Sequence, residues 1–293
     1  NTAVGKYALW SNTTANSNTA VGYDSLGANV TGTQNVAMGH NSMLANTGSY
    51  NTSIGFESLK ANVGGANNVA VGVNAMLSNT TGHSNVAVGA NALDVNISGN
   101  YNLAVGKDSL GGNTTGGGNI SVGASTLLTN TTGGDNVAMG NDALRANTTA
   151  SQNSAFGNAC LQANTTGARN TAIGAFALDA NTTANNNTAI GHECLTRNTT
   201  GASNTAMGKN SMPYCTTATS NVAMGNESAG ATTTGSQNVA LGVYALQANT
   251  TGSGNVATGY QALKANTTAD DNTTIGYQSL LANTTGVSNT SIG

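Results

Sequence analysis

Short apolar stretches recur along this chain at an interval of 17 residues. The segment Asn-Thr-Ala-Val-Gly at 1–5 returns at 18–22 and, as Asn-Val-Ala-Met-Gly, at 35–39. Seventeen repeats follow one another, one of them a residue short at 35–50, and the last five residues begin an eighteenth. Internal repetition of this kind is typical of solenoids, in which each repeat adds one layer. We therefore predict a single continuous array over 1–293, with repeats starting at 1, 18, 35, 51, 68 and every 17 residues to 289.

The positions of a repeat differ sharply in how much they vary. Numbered from its first Asn, the average repeat reads N-[TV]-A-[VIM]-G-x-x-[AS]-L-x-[AS]-N-T-T-[GA]-x-x. Position 9 is Leu or Met in every repeat but one, which has Ala229, and position 12 is Asn except at Cys215 and Thr232. Positions 6, 7, 10, 16 and 17 vary and hold nearly all the charges, which predicts a solvated rim around a buried stack.

Positions 2 to 4 predict a short β-strand. Larger, often β-branched residues at positions 2 and 4 alternate with Ala or Ser at position 3, which is the period of a strand. A Gly in every repeat and the Asn-Thr-Thr-Gly break exclude helices of useful length. The dipeptide Asn-Gly, a strong hairpin signal, does not occur. The sequence thus predicts an all-β, parallel β-solenoid of about seventeen 17-residue coils, paired in register.

Registered stacking predicts columns of like side chains roughly 4.8 Å apart. We expect positions 4 and 9 to form two apolar core columns and position 1 to form an amide ladder. Asn is expected to supply left-handed backbone at the corners, and Gly at position 5 to have a positive φ or a closely approaching backbone. Small residues at positions 3 and 8 are expected to form smooth outer stripes, against which further copies pack, preferably three chains side by side.

Composition and charge exclude several classes of function. Eight Lys and Arg against eleven Asp and Glu leave a net charge of -3, so a basic face for nucleic acid is missing. No apolar run approaches the roughly 20 residues of a membrane span, and we expect no membrane contact in this segment. An ordinary enzyme would have more than 4% aromatic and 6% charged residues. Because no atypical capping repeat is present, we expect a fragment of a longer fibre.

Position 7 holds six carboxylates, none of them in adjacent repeats. Glu193 and Glu227, two coils apart, are expected at roughly 10 Å, near the upper limit for an inverting glycosidase pair. We interpret all six as solvated rim charges, since neither a convergent pocket nor an aromatic sugar platform is evident. The calcium-roll repeat Gly-Gly-x-Gly-x-Asp is absent. The six are Asp24, Glu57, Asp108, Asp142, Glu193 and Glu227.

The histidines are too far apart along the array to share a metal ion. His40 and His192 both occupy position 6 but lie nine coils apart, and His83 occupies position 16. We interpret them as isolated surface imidazoles. No serine or cysteine forms a catalytic arrangement with them, so the sequence predicts no catalytic, cofactor-binding or metal-binding residue and no cofactor.

Two of the three cysteines replace the small residue at position 8. Cys160 and Cys194 are two coils apart, roughly 9.6 Å on the stacking rise, which is beyond disulfide reach. They are expected to be small buried hydrophobes. Cys215 replaces a corner Asn beside Pro213 and Tyr214, which marks an irregular coil, and is the thiol that we single out for a test of reactivity.

Paired Thr residues at positions 13 and 14 suggest a different function for the array. Such columns resemble those of ice-binding solenoids, although Val30, Val63, Gly64 and Ile97 interrupt them. The same corner contains Asn-Thr-Thr sequons, which would be glycosylated in a suitable source. Rim aromatics are candidates for glycan contacts, although single exposed aromatic residues are normal. They are Tyr7, Trp10, Tyr23, Tyr244, Tyr260 and Tyr277.

Repeats such as 170–174, followed by Ala177, Leu178 and Asn181-Thr-Thr, resemble the head repeats of trimeric autotransporter adhesins. They are also similar to repeats in the tail fibres of bacteriophages, especially those of cyanobacterial hosts. In the adhesin family a shorter repeat with the same apolar-Gly pattern builds a left-handed parallel β-roll three chains wide. The resemblance implies an extracellular homotrimer on a virion or a cell surface, although the repeat here is longer by an Asn-Thr-Thr-Gly turn.

Together these features predict a non-enzymatic structural shaft of an extracellular fibre, a phage tail fibre or a bacterial surface adhesin. Its task would be to space or present a receptor-binding tip. The expected partners are further copies of the chain, as a homotrimer or filament, and host-surface glycans. The alternative is a binding surface in its own right, for glycans or, through the Thr columns, for ice. The third hypothesis is an enzyme that uses Glu193 or Glu227.

Overall fold

A computed structural model describes residues 1–293 as β-strands and turns without any helix. The chain divides into two compact units, 1–151 and 152–293, called the N-terminal and the C-terminal unit below. Each unit contains nine strands of three residues, one at positions 2 to 4 of each repeat, which confirms the predicted strand. In the N-terminal unit β1 to β9 are Thr2–Val4, Thr19–Val21, Val36–Met38, Thr52–Ile54, Val69–Val71, Val86–Val88, Leu103–Val105, Ile120–Val122 and Val137–Met139. In the C-terminal unit β10 to β18 are Ser154–Phe156, Thr171–Ile173, Thr188–Ile190, Thr205–Met207, Val222–Met224, Val239–Leu241, Val256–Thr258, Thr273–Ile275 and Thr290–Ile292.

Within each unit, successive strands pair in parallel and in register, as the repeat predicts. Residues at the same position of neighbouring repeats are paired: Ala20 lies opposite Ala37 in the first unit and Ala172 opposite Ala189 in the second. The N–H at position 2 donates to the carbonyl at position 1 of the next coil, as from Thr19 to Asn35 at 2.8 Å. Each unit is therefore a parallel β-solenoid with one 17-residue repeat in each coil.

The core contains small strand residues and Leu, and this corrects one prediction. Leu26 at position 9 is fully buried, as expected, but so are Ala20 at position 3 and Ser25 at position 8. Position 4 faces outward: Met38 is 46% and Ile54 39% exposed. A 17-residue coil is narrow, and once Leu fills its centre only a methyl-sized strand residue fits beside it. The alternation of the strand then turns positions 2 and 4 to the surface.

This arrangement also moves the surface on which another copy could pack. The small residues at positions 3 and 8 line the interior and cannot form the smooth outer stripes that the sequence suggested. The outer face of each sheet consists instead of positions 2 and 4, and we call it the sheet face. It holds Thr, Val, Leu, Ile, Met, Phe and one Ser, and no charged residue in any of the eighteen repeats.

Two buried amide ladders run along each unit. At position 1, the side-chain oxygen of Asn18 accepts the backbone N–H of Asn35 at 2.9 Å, and its Nδ2 donates to the carbonyl of Gly32 at 2.8 Å. The second ladder is at position 12, where Asn113 Nδ2 donates to Asn96 Oδ1 at 2.9 Å and to Gly116 at 2.9 Å. Because these amides are hydrogen-bonded, a polar interior is compatible with stability.

Left-handed backbone occurs at other positions than the ladder Asn residues. Positions 7, 9 and 17 have φ near +50° to +64°, as at Asp24, Leu26 and Gln34. The expected corner role of Asn at position 1 is therefore wrong. Its conservation along the array comes from the hydrogen bonds of the ladder. The Gly prediction is confirmed, since Gly72 has a φ of +138° and an added Cβ would lie 2.5 Å from the carbonyl oxygen of Gly89.

Candidate functional site

Two position 7 carboxylates of the N-terminal unit, Glu57 and Asp108, are paired with neighbouring side chains on the rim. Glu57 lies 2.7 Å from Lys60 Nζ and accepts a hydrogen bond from Asn41 at 3.2 Å. These two contacts lower the pKa of Glu57 below its ordinary value. Asp108 accepts a bond from Asn91 at 3.0 Å. No group of three or more His, Cys, Asp or Glu residues in the chain is placed to hold a metal ion.

Aromatic residues that look scattered in the sequence form a continuous row in the N-terminal unit. Tyr7 contacts Trp10 edge-on at 5.4 Å between ring centroids and Tyr23 at 5.7 Å. His40 then stacks between Tyr23 and Phe56, at 5.1 and 5.3 Å. We call these five residues the aromatic row. Sequence reasoning missed it because its members occupy positions 6, 7 and 10, which converge only when the coils are stacked.

The other two histidines also have aromatic neighbours, so none of the three imidazoles is isolated. His83 meets the edge of Tyr101 at 5.1 Å between centroids. His192 packs edge-on against Phe176 at 6.1 Å, and its Nδ1 lies 4.0 Å from a carboxylate oxygen of Glu193. These contacts place each imidazole in a different part of the rim.

All three cysteines are free and fully buried. This confirms the expected burial of Cys160 and Cys194. It also gives no reason to single out Cys215, whose Sγ lies 3.7 Å from Asn198 Oδ1 and 3.9 Å from the Ala218 carbonyl. Burial raises the pKa of Cys160 to about 11 and those of Cys194 and Cys215 to about 12.

The Thr columns lie in bends outside the sheets. At position 13 the hydroxyl is engaged with the next coil: Thr114 Oγ1 donates to the Thr131 carbonyl at 3.0 Å, and Thr131 Oγ1 to Thr148 at 3.0 Å. At position 14, Thr115 and Thr132 are exposed. One hydroxyl of each pair therefore joins the coils, and only the other faces solvent. Ice binding by these columns stays a prediction.

Departures from the repeat concentrate in two adjacent coils of the C-terminal unit. The only Pro of the chain is Pro213, and Tyr214 and Cys215 follow it. The next coil has Ala229 in place of the core Leu and Thr232 in place of the ladder Asn. Pro213 has no N–H to donate to position 7, unlike Leu77, which bonds to Asn74 at 3.2 Å.

A groove with Tyr214 at its centre lies over these two coils and their neighbours, and we call it the Tyr214 groove. It consists of two cavities that share Asn210, Pro213 and Tyr214. One has a volume of ≈ 420 Å³ and extends over the preceding coils, and the other has ≈ 340 Å³ and extends over the following ones. Its remaining lining residues are Asp179, Ala180, Glu193, Thr196, Arg197, Glu227, Gly230, Ala231 and Gln247.

Both suspected carboxylates of the C-terminal unit line this groove, on opposite sides of Tyr214. Glu193 lies in the larger cavity and Glu227 in the smaller one, where Gln247 Nε2 donates to Glu227 Oε2 at 2.8 Å. The two carboxylates thus lie in different cavities of the groove, and the sequence showed no sign of either cavity. The pocket could not be predicted from the sequence because it forms where Tyr214 lies next to Gly230 and Ala231 of the following coil, and the repeat pattern does not show such combinations.

A third carboxylate of the groove, Asp179, was not singled out from the sequence. Asp179 is half-buried and accepts a hydrogen bond from Thr196 Oγ1 at 2.6 Å. Burial raises the pKa of Asp179 above its ordinary value, and the bond from Thr196 opposes that rise. Asp179 occupies position 10, which varies from repeat to repeat, so the repeat pattern did not indicate a functional residue there.

A cavity of ≈ 420 Å³ also lies in the N-terminal unit. Leu44 and Leu77 supply much of its wall, and its two charged residues, Glu57 and Lys60, are paired with one another. It contains no aromatic residue. The Tyr214 groove differs in having an exposed ring and several polar groups of both hydrogen-bonding kinds.

The sheet face presents an apolar side chain at position 4 in every repeat except the one with Thr258. Its position 4 residues include Val88, 38% exposed, and Met139, 42% exposed, in the N-terminal unit, and Ile173, 40%, and Met224, 40%, in the C-terminal unit. Extended apolar patches on a protein surface mark sites of association.

No helix is present that is long and apolar enough to cross a membrane. No protein-family model matches the chain, and no curated protein and no solved structure is detectably similar to it.

Proposed function

We propose that this chain is the non-enzymatic structural shaft of an extracellular fibre, of the kind found in phage tail fibres and bacterial surface adhesins. The observation that carries the proposal is the repetition of one set of hydrogen bonds in coil after coil. In each unit the strand pairs, the position 1 ladder and most of the position 12 ladder recur with the same partners. Such an array resists bending and proteolysis, and its length is set by the number of repeats.

We further propose that the shaft is a homotrimer whose chains associate through the sheet face. That face is uncharged in every repeat and partly apolar, so covering it removes apolar area from water without burying a charge. The interface would then continue along each unit, and every added coil would add the same contact area. A spacer of adjustable length with a receptor-binding tip at its end would follow from this construction.

Deleting whole repeats tests the shaft. Removing 68–135, which is four complete repeats, keeps every position in register and should shorten the particle by roughly 19 Å on the stacking rise. Length is measured by electron microscopy, with the circular-dichroism spectrum and the melting temperature as checks of folding. A matched deletion of 68–127 removes a similar mass but breaks the register, and it should lower the melting temperature. A particle whose length does not change on deletion of 68–135 would contradict the role of a spacer.

A further inference from the structure

The two coils beneath the Tyr214 groove lack stabilising features that the other coils have. Cys215 and Thr232 interrupt the buried amide ladder, and Thr232 Oγ1 is buried without a hydrogen-bond partner. Ala229 removes a core Leu. Each of these changes lowers the stability of a periodic structure, and all fall within two adjacent coils. Local departures of this kind are expected where a site has been built into a regular scaffold.

The same region also gains side chains that no other coil has. Position 11 is Ala, Ser, Gly, Thr or Val in fifteen of seventeen repeats, and the two exceptions are the neighbours Arg197 and Tyr214. The guanidinium carbon of Arg197 lies 4.8 Å from the centroid of the Tyr214 ring, and the tyrosine is 48% exposed. This cation–π contact fixes the ring at the centre of the groove.

The polar groups around the ring suit a ligand with many hydroxyls. Carboxylate oxygens of Glu193 and Glu227 accept hydrogen bonds, and Arg197 and Gln247 donate them. Asn210 lines both cavities, and its Oδ1 has no hydrogen-bond partner. Its amide adds a donor and an acceptor between the two cavities.

The charges of the groove argue against an anionic ligand, since the carboxylates outnumber the single guanidinium. Its two cavities of ≈ 340 and ≈ 420 Å³ have the size of small-molecule sites. We propose that the Tyr214 groove binds a neutral saccharide, whose C–H face packs on the Tyr214 ring while its hydroxyls bond to the surrounding carboxylates and amides. The proposal does not depend on the shaft function or on the oligomeric state.

An array of neutral and acidic oligosaccharides, probed with the labelled full chain, supplies the ligand for the test. Calorimetry with the strongest neutral hit then compares the wild-type chain with Tyr214→Ala and Arg197→Ala. Ala is the residue at position 11 in ten of seventeen repeats, so both changes make the coil more regular and folding is retained. Binding should weaken roughly tenfold or more in Tyr214→Ala, as at other aromatic hot spots, and also weaken in Arg197→Ala.

The aromatic row provides the control. Trp10→Ala removes an exposed ring of the N-terminal unit and should leave the affinity unchanged. Affinity for a neutral sugar should also be the same in about 0.05 M and about 0.5 M NaCl, whereas a lysine-rich peptide held by the carboxylates would dissociate at high salt. The proposal is overturned if no neutral saccharide on the array binds, if Tyr214→Ala binds as well as the wild type, or if Trp10→Ala removes the binding.

Discussion

At the scale of single residues, Gly at position 5 sets how closely two coils can approach. Gly72 combines a φ of +138° with a carbonyl oxygen 2.5 Å from where its Cβ would lie. Backbone strain and overpacking therefore act together on any larger residue. We expect Gly72→Ala to lower the free energy of unfolding by roughly 2–4 kcal/mol, measured by urea denaturation.

Gly64 provides a matched control for that substitution. It lies in the preceding coil, at position 14, and an added Cβ would have no neighbour within 4 Å. Gly64→Ala should therefore be neutral or slightly stabilising, by up to about 1 kcal/mol. Equal destabilisation by the two variants would contradict the tight spacing of the coils at position 5.

The thiols lead to a second prediction at this scale. Because burial raises the pKa values of Cys160, Cys194 and Cys215 to about 11, 12 and 12, almost no thiolate forms at neutral pH. Thiolate is the reactive species. None of the three cysteines should react with a disulfide reagent at pH 8 in the folded chain, and all three should react in denaturant. Fast reaction of Cys215 alone in the folded chain would show that its coil is open.

At the scale of structural elements, the position 12 ladder should make a measurable contribution to the free energy of unfolding. In the C-terminal unit Cys215 and Thr232 interrupt it, and Asn at both positions should restore the missing bonds. We expect Cys215→Asn with Thr232→Asn to raise the free energy of unfolding by about 1–2 kcal/mol.

The reverse change tests the same ladder where it is complete. Asn130 Nδ2 donates to Asn113 Oδ1 at 3.0 Å and to Gly133 at 2.9 Å. Asn130→Thr copies the residue found at 232 into this place and should lower the free energy of unfolding by roughly 1–3 kcal/mol. If the two sets of variants change the melting temperature in the same direction, the ladder is not the cause.

The strand, the coil length, the register and the Asn ladder at position 1 could be predicted because each repeats in the sequence. The direction of the side chains could not. The alternation of large and small residues shows that positions 3 and 4 face opposite sides of the strand. The width of the coil decides which of the two faces inward, and that width depends on the left-handed turn around Leu26. The Tyr214 groove lay beyond prediction for a related reason. It lies where Tyr214 adjoins Gly230 and Ala231 of the following coil, and a repeat average hides such combinations of residues in adjacent coils.

At the scale of the whole molecule, association through the sheet face is open to a direct test. Val88→Glu with Met139→Glu places charges on that face, and in a trimer each charge would meet its copies in a desolvated interface. We expect the wild-type chain to sediment as a trimer and this double variant as a monomer with an unchanged β-sheet spectrum. Val73→Glu with Val95→Glu puts the same charges on exposed turn residues, 49% and 38% exposed, and should leave the trimer intact. A wild-type chain that sediments only as a monomer would contradict the proposed association.

The central claim is that equal positions of successive repeats lie directly above one another. Spin labels at position 14 measure this within the C-terminal unit, after the native thiols are replaced by Ala at 160 and 194 and by Asn at 215. The distances are measured by pulsed electron–electron double resonance on labelled chains diluted with unlabelled ones. We expect roughly 19 Å between labels at Thr166 and Thr234, which are four coils apart, and roughly 29 Å between labels at Thr166 and Thr268, which are six coils apart. Two distances that do not grow in proportion to the number of coils would contradict the stacked solenoid.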